Sequence, residues 1–161
     1  MQLDEIKPRR SVGDIILGVT EDDVTQALGS DFDRAVDDDG DVQVEYGSLG
    51  LRFVFWSDYD FKLGCIGVER STVSIFSKRL SGLSKSEIER FVAEALHTTV
   101  SESDGCTHED DSVQEWIDVD SHSLSFWFDD DELYLIDVFC EWDDDDDPIW
   151  PETNVNVEQR N

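Results

Sequence analysis

Large apolar side chains alternate strictly at Leu51, Phe53 and Phe55, and again at Leu124, Phe126 and Phe128. A period of two places all three members of each set on one face of an extended strand, whereas a helix would scatter them around its circumference. Both strands have companions. Val44 and Tyr46 precede the first as Ile117 and Val119 precede the second, and Leu63, Ile66 and Val68 follow the first as Leu133, Ile136 and Val138 follow the second. Turn-forming residues separate the runs at Gly47-Ser48-Leu49-Gly50, Asp58-Tyr59-Asp60 and Asp129-Asp130-Asp131. Each set reads as three antiparallel strands joined by hairpins.

A short amphipathic helix is predicted before each set. Thr20 with Asp23, and Ser84 with Glu87, place a hydroxyl three residues ahead of a carboxylate, the pattern of a capping box. Val24, Ala27 and Leu28 form the apolar stripe of the first helix, with Gly29 as its stop. Ile88, Phe91, Val92, Ala95 and Leu96 form that of the second. The spacing therefore predicts an α+β chain of two tandem helix-plus-antiparallel-sheet (αβββ) repeats, with both helices on one face of the sheet. The first repeat is expected over 1–80, the second over 81–147, and a C-terminal tail over 148–161. Thr72–Phe76 is a candidate further strand closing the first repeat. Phe53, Phe55, Phe126 and Phe128 are expected inside, each contributing about 2 kcal/mol by burial.

Charge limits the partners. The 161 residues carry 40 acidic and 12 basic side chains, a net charge of −28, while 39% hydrophobic content is too high for a disordered acidic chain. Such a surface repels phosphate, which excludes direct nucleic-acid binding and an anionic membrane and favours a basic protein. The acidity is concentrated: residues 1–80 sum to −7 and 81–161 to −21, and no Lys or Arg lies between Arg90 and Arg160. Adaptation to high salt is the alternative explanation, but it would acidify both halves alike. The charged stretch Met1–Arg10 has no apolar core of a targeting segment, and the longest apolar run, Ile15-Ile16-Leu17, is far short of a membrane span. Three cysteines make no disulfide framework, and Cys65 and Cys140 fit buried strand positions. A cytoplasmic location is expected.

The sequence points to no catalytic constellation, cofactor or metal. In Asp37-Asp38-Asp39-Gly40-Asp41 a calcium-loop register would put Ala35 where an acid is required, so an acidic turn is expected. Cys106-Thr107-His108 lacks a second ligand pair at zinc spacing and reads as an exposed loop. His97, His108 and His122 have no nucleophile beside them in sequence. The run Asp143–Asp147 reads as a solvated tail, and secondarily as a docking segment.

The outward positions of the second repeat are more informative. With Ile117, Val119, Leu124, Phe126 and Phe128 inside, Trp116, Asp118, Asp120 and Trp127 face out. On the last strand Tyr134, Ile136, Val138, Cys140 and Trp142 suit the core, leaving Leu135, Asp137, Phe139 and Glu141 outside. Trp116, Asp118, Asp120, Trp127, Leu135, Asp137, Phe139 and Glu141 are thus the candidate partner-binding residues: aromatic anchors ringed by carboxylates. The alternatives are a second layer over these residues, or reversed faces. The first repeat's corresponding residues, Gln43, Glu45, Arg52, Val54, Trp56 and Glu69, are less acidic and less aromatic.

The phrase Leu17-Gly18-Val19-Thr20-Glu21-Asp22-Asp23-Val24, followed by Ala27-Leu28-Gly29, resembles the helix opening of BamE-like modules. Two such units in one chain resemble β-lactamase-inhibitory-protein-like inhibitors. The Gly82-Leu83-Ser84 entry and the Leu51–Phe55 and Leu124–Phe128 strands resemble cytosolic bacterial immunity proteins of toxin systems. The resemblance implies a non-enzymatic inhibitor that binds and neutralises a basic protein toxin, such as a nuclease, with no cofactor. The alternative is a nucleic-acid mimic, an acidic adaptor, or a salt-adapted binding domain of another role.

Overall fold

The computed structural model describes residues 2–70, 72–102, 105–107, 109 and 112–152. In chain order the elements are β1 (Glu5–Lys7), β2 (Ser11–Val12), β3 (Ile15–Ile16), α1 (Glu21–Leu28), β4 (Asp33–Val36), β5 (Val42–Tyr46), β6 (Leu51–Trp56) and β7 (Lys62–Val68). There follow β8 (Ser74–Ile75), β9 (Lys78–Arg79), α2 (Lys85–Leu96), β10 (Ser101–Glu102), β11 (Cys106–Thr107), β12 (Val113–Val119), β13 (Leu124–Asp129), β14 (Glu132–Phe139), β15 (Glu141–Trp142) and β16 (Pro148–Ile149).

The expected pair of αβββ repeats is not what forms. Among the described residues the chain is mostly β, with three sheets and only two α-helices. A nine-stranded sheet runs in the order β10-β12-β13-β14-β7-β6-β5-β4, with β11 also on β12. Its centre is the β7–β14 pair, where Val68 lies opposite Ile136 and Cys65 opposite Phe139. That pairing merges the strands expected in two repeats into a single sheet. A second sheet, β3-β2-β1-β8-β9, joins residues 5–16 to residues 74–79. The Thr72–Phe76 stretch belongs here: β8 runs parallel to β1, held by Arg70 Nε and Thr72 Oγ1 donating to Asp4 Oδ1 at 2.8 and 2.7 Å. Of this sheet only β8 falls in a stretch expected to be extended; the other strands, of two or three residues, are too short for a period-two signal to register.

One core fills the space between the large sheet and its cover. Phe53, Phe55, Phe126 and Phe128 are fully buried in it, beside Tyr46, Leu63, Ile66, Ile117, Ile136 and Val138. The small sheet contributes Ile6, Val12, Ile15 and Ile75, while α1 contributes only Val24 and α2 Ile88 and Val92 as fully buried residues. Both helices start with the expected capping boxes. Tyr46 anchors the end of α1 by donating its hydroxyl to the Gly29 carbonyl at 2.7 Å.

Each three-stranded meander carries a bulge. In β6–β7 the register shifts after Val54 opposite Cys65, leaving Gly64 as the extra residue. The Trp56 ring lies against that glycine so closely that a β-carbon there would stand 2.1 Å from it. In β13–β14 the shift after Trp127 opposite Leu135 leaves Tyr134 extra. A bulge turns two successive residues toward the same side. Tyr134, expected in the core, is therefore only half-buried and shares a hydrogen bond with Gln114.

Two acidic turns prove to be one device. Asp37 Oδ1 accepts the Asp39 and Asp41 amides, and Asp143 Oδ1 accepts those of Asp145 and Asp147. In both, the residue before the last acid has positive φ: Gly40 at 89° and Asp146 at 61°. The run Asp143–Asp147 is thus the turn of the β15–β16 hairpin. An aspartate in the left-handed region is strained where glycine is not. Asp146→Gly should raise the unfolding free energy by about 0.5–1 kcal/mol, read as a higher thermal midpoint. A lower midpoint would show that the Asp146 side chain stabilises the turn.

Candidate functional site

The face of the large sheet opposite the core presents its side chains in rows set by register. One row crosses six strands: Asp33, Glu45, Arg52, Gly67, Asp137, Ser125 and then Asp118 on the seventh. Beside it stand Trp116, Trp127 and Leu135 in register, and on the other side Phe139, Cys65, Val54 and Gln43. Across β12–β14 this face carries no Lys or Arg.

Trp116 and Trp127 are half-buried, their rings 5.1 Å apart at 34°. The stack is fixed from beneath. Trp127 Nε1 donates to Asp137 Oδ2 at 3.1 Å, and Arg52 Nη2 approaches Asp137 Oδ1 at 3.4 Å. Cys65 Sγ lies 3.8 Å from the same oxygen. Gly67, next to Asp137 in register, leaves room for this group, since a β-carbon there would sit 3.2 Å from Asp137 Oδ1. Asp137 is only 7% exposed. Burial pushes its carboxyl above the usual range, against the opposing pull of Arg52 and the Trp127, Cys65 and Arg52 hydrogen bonds. Burial, reinforced by the Asp137 charge, pushes the Cys65 thiol well up, so neither group is poised as a nucleophile. Burial likewise pushes Cys140 up to about 11.

No family model, curated protein or solved structure matches the chain.

The candidate residues divide by position. Trp116, Asp118, Asp120 and Trp127 are accessible on adjoining strands and their turn, with Asp118 accepting the Ser125 hydroxyl at 2.7 Å. Phe139 is half-buried on the same face. Leu135 is covered at 8% exposure, and Asp137 is committed to Trp127 and Arg52 beneath the stack. Glu141 pairs with Arg9 at 3.3 Å. Asp137 thus serves as a support of the face, where sequence reasoning had it pairing with a partner's cation.

An aromatic cluster at the end of the face escaped sequence reasoning. Trp142, expected in the core, is 42% exposed and stacks on Trp56 with centroids 5.3 Å apart. Tyr59 meets Trp142 edge-on at 6.1 Å, and Trp150 packs 6.1 Å from Trp56. The large-sheet strand ends at Phe139 and Glu141–Trp142 pairs with Pro148–Ile149 in a separate sheet, so alternation carried on to Trp142 misplaced it. The usable signal was Trp142 and Trp150 flanking an Asp-rich turn, a hairpin pattern obscured by the charge run. Lys62 Nζ sits 5.5 Å over the Trp150 ring.

Among the described residues no group of three His, Cys, Asp or Glu side chains could hold a metal ion, and no helix is long and apolar enough to cross a membrane. Backbone pairing places Cys106 and Thr107 on β12, while His108 lies outside the described residues.

Proposed function

We propose that the chain is an inhibitor of the immunity type, binding a basic protein toxin, such as a nuclease, through the β12–β13 face. The observation that carries this reading is the accessible Trp116–Trp127 stack beside Asp118 and Asp120, on strands that hold no cation. Burial of the indoles supplies affinity, while the carboxylates steer a cationic partner and compete with its anionic substrate. The net charge of −28 extends that attraction over a Debye length and makes it depend on salt.

The test is co-expression with the toxic domain encoded beside this chain's own gene. Rescue of growth and a 1:1 complex are expected, with Trp116→Ala and Asp118→Asn each weakening the complex, the former by about 2 kcal/mol. Association rates should fall steeply between low and high salt, as seen in stopped flow. Growth unrescued and no complex formed would overturn the inhibitor assignment. Rates that stay flat with salt would remove electrostatic steering from it.

A further inference from the structure

A groove of about 700 Å³ beside Gly82–Ser84 is acidic, but three of its carboxylates already serve the fold. Glu87 caps α2, Asp131 accepts the Lys85 amide, and Asp130 accepts the Val113 amide. A smaller pocket on the partner-facing side carries more. It measures about 280 Å³ and is lined by Asp120, Ser123, Leu124, Ser125, Phe139 and Trp142.

This pocket joins the two features of the face. One wall comes from the β12–β13 turn and β14, the other from the C-terminal hairpin, whose Trp142 ring is backed by Trp56 and Tyr59. It is smaller than most small-molecule sites and suited to one side chain. It combines two aromatic rings, an exposed carboxylate, two hydroxyls and no Lys or Arg. We propose that it receives an arginine side chain of a bound protein, the guanidinium against Trp142 and Phe139 with Asp120 as counter-charge. This rests on the proposed binding of a basic protein.

Two further observations favour a cation here. The same aromatic cluster already holds one, Lys62 over Trp150. Its Tyr59 hydroxyl is held above its usual pKa, first by burial and then by the nearby charges of Asp147, Asp58, Cys140 and Asp146. Arginine fits better than lysine because its planar, weakly hydrated head stacks on aromatic rings while donating in-plane to a carboxylate.

The experiment uses the full chain labelled with ¹⁵N, with the indole signals of Trp56, Trp116, Trp127, Trp142 and Trp150 assigned by single Trp→Phe variants. Acetyl-Gly-Arg-Gly-amide is titrated at low salt, alongside its lysine and citrulline counterparts. The expected result is a saturable shift of Trp142 with the arginine peptide, a weaker one with lysine and none with citrulline. Asp120→Asn, an exposed turn position, should weaken the arginine response on the order of tenfold with the spectrum otherwise preserved. A citrulline response equal to that of arginine, or a silent Trp142, overturns the arginine pocket. If only Trp116 and Trp127 respond, the pocket falls while the sheet face stands as the binding surface. If Trp142 responds while Trp116→Ala leaves toxin-domain binding intact, the pocket stands and the β12–β13 assignment falls.

Discussion

Replacing Phe126 by alanine should lower the free energy of unfolding by about 3–5 kcal/mol, because the ring is fully enclosed by the core and its loss leaves a cavity. Small domains hold only about 5–15 kcal/mol in total, so the variant should unfold at markedly lower urea concentration. Trp116, one residue before Ile117 and on the opposite face, should behave differently. Trp116→Ala gives up a stacked ring pair, costing about 1 kcal/mol of stability, while weakening partner binding more than that. Urea unfolding of the two variants measures the contrast. A mild Phe126→Ala beside an unfolded Trp116→Ala would mean that the core and outer faces are exchanged. Trp127 is a poorer probe of binding than Trp116, since its indole also supports Asp137.

The second large effect concerns Asp137. Asp137→Ala removes the acceptor from Trp127 and the counter-charge from Arg52, which should cost about 2–4 kcal/mol. The lower part of that range applies if Arg52, a third exposed, swings into water. Asp137→Asn keeps the shape and an acceptor, so its loss should be smaller. The two carboxyl forms respond oppositely to folding. The folded pKa of Asp137 lies above its unfolded value, so folding favours the protonated form. The stability gained is present in full below the unfolded pKa and is lost as pH rises through the folded one. Wild type should therefore lose ground against Asp137→Asn on going from acid toward neutral pH, as followed by urea midpoints. A wild type that gains ground over that interval would show that the Arg52 pair outweighs burial.

Leu51–Phe55 and Leu124–Phe128 were legible in the sequence because alternation over a half-buried strand is a strong local pattern, and all of their inward residues are in the core. The capping boxes were legible because they depend on residues three apart. The sheet order was not, because nothing in Cys65–Val68 or Ile136–Phe139 marks them as partners across the chain. Of the small sheet only β8 could be anticipated, within Thr72–Phe76; the brevity of its other strands hid them. On the face, Trp116, Asp118, Asp120 and Trp127 could be placed by parity, whereas burial of Asp137 depends on Arg52 and Gly67 from the far side of the β7–β14 seam.

The β7–β14 pairing has a kinetic side. During synthesis β7, with its apolar Leu63, Cys65, Ile66 and Val68, is the edge of an unfinished sheet until residues 136–139 leave the ribosome. Unpaired apolar edges recruit other chains, so nascent or truncated copies ending before Ile136 are exposed to edge-to-edge aggregation. The acidic half of the chain arrives last, bringing with it both the strand that closes that edge and the charge that keeps neighbouring copies apart.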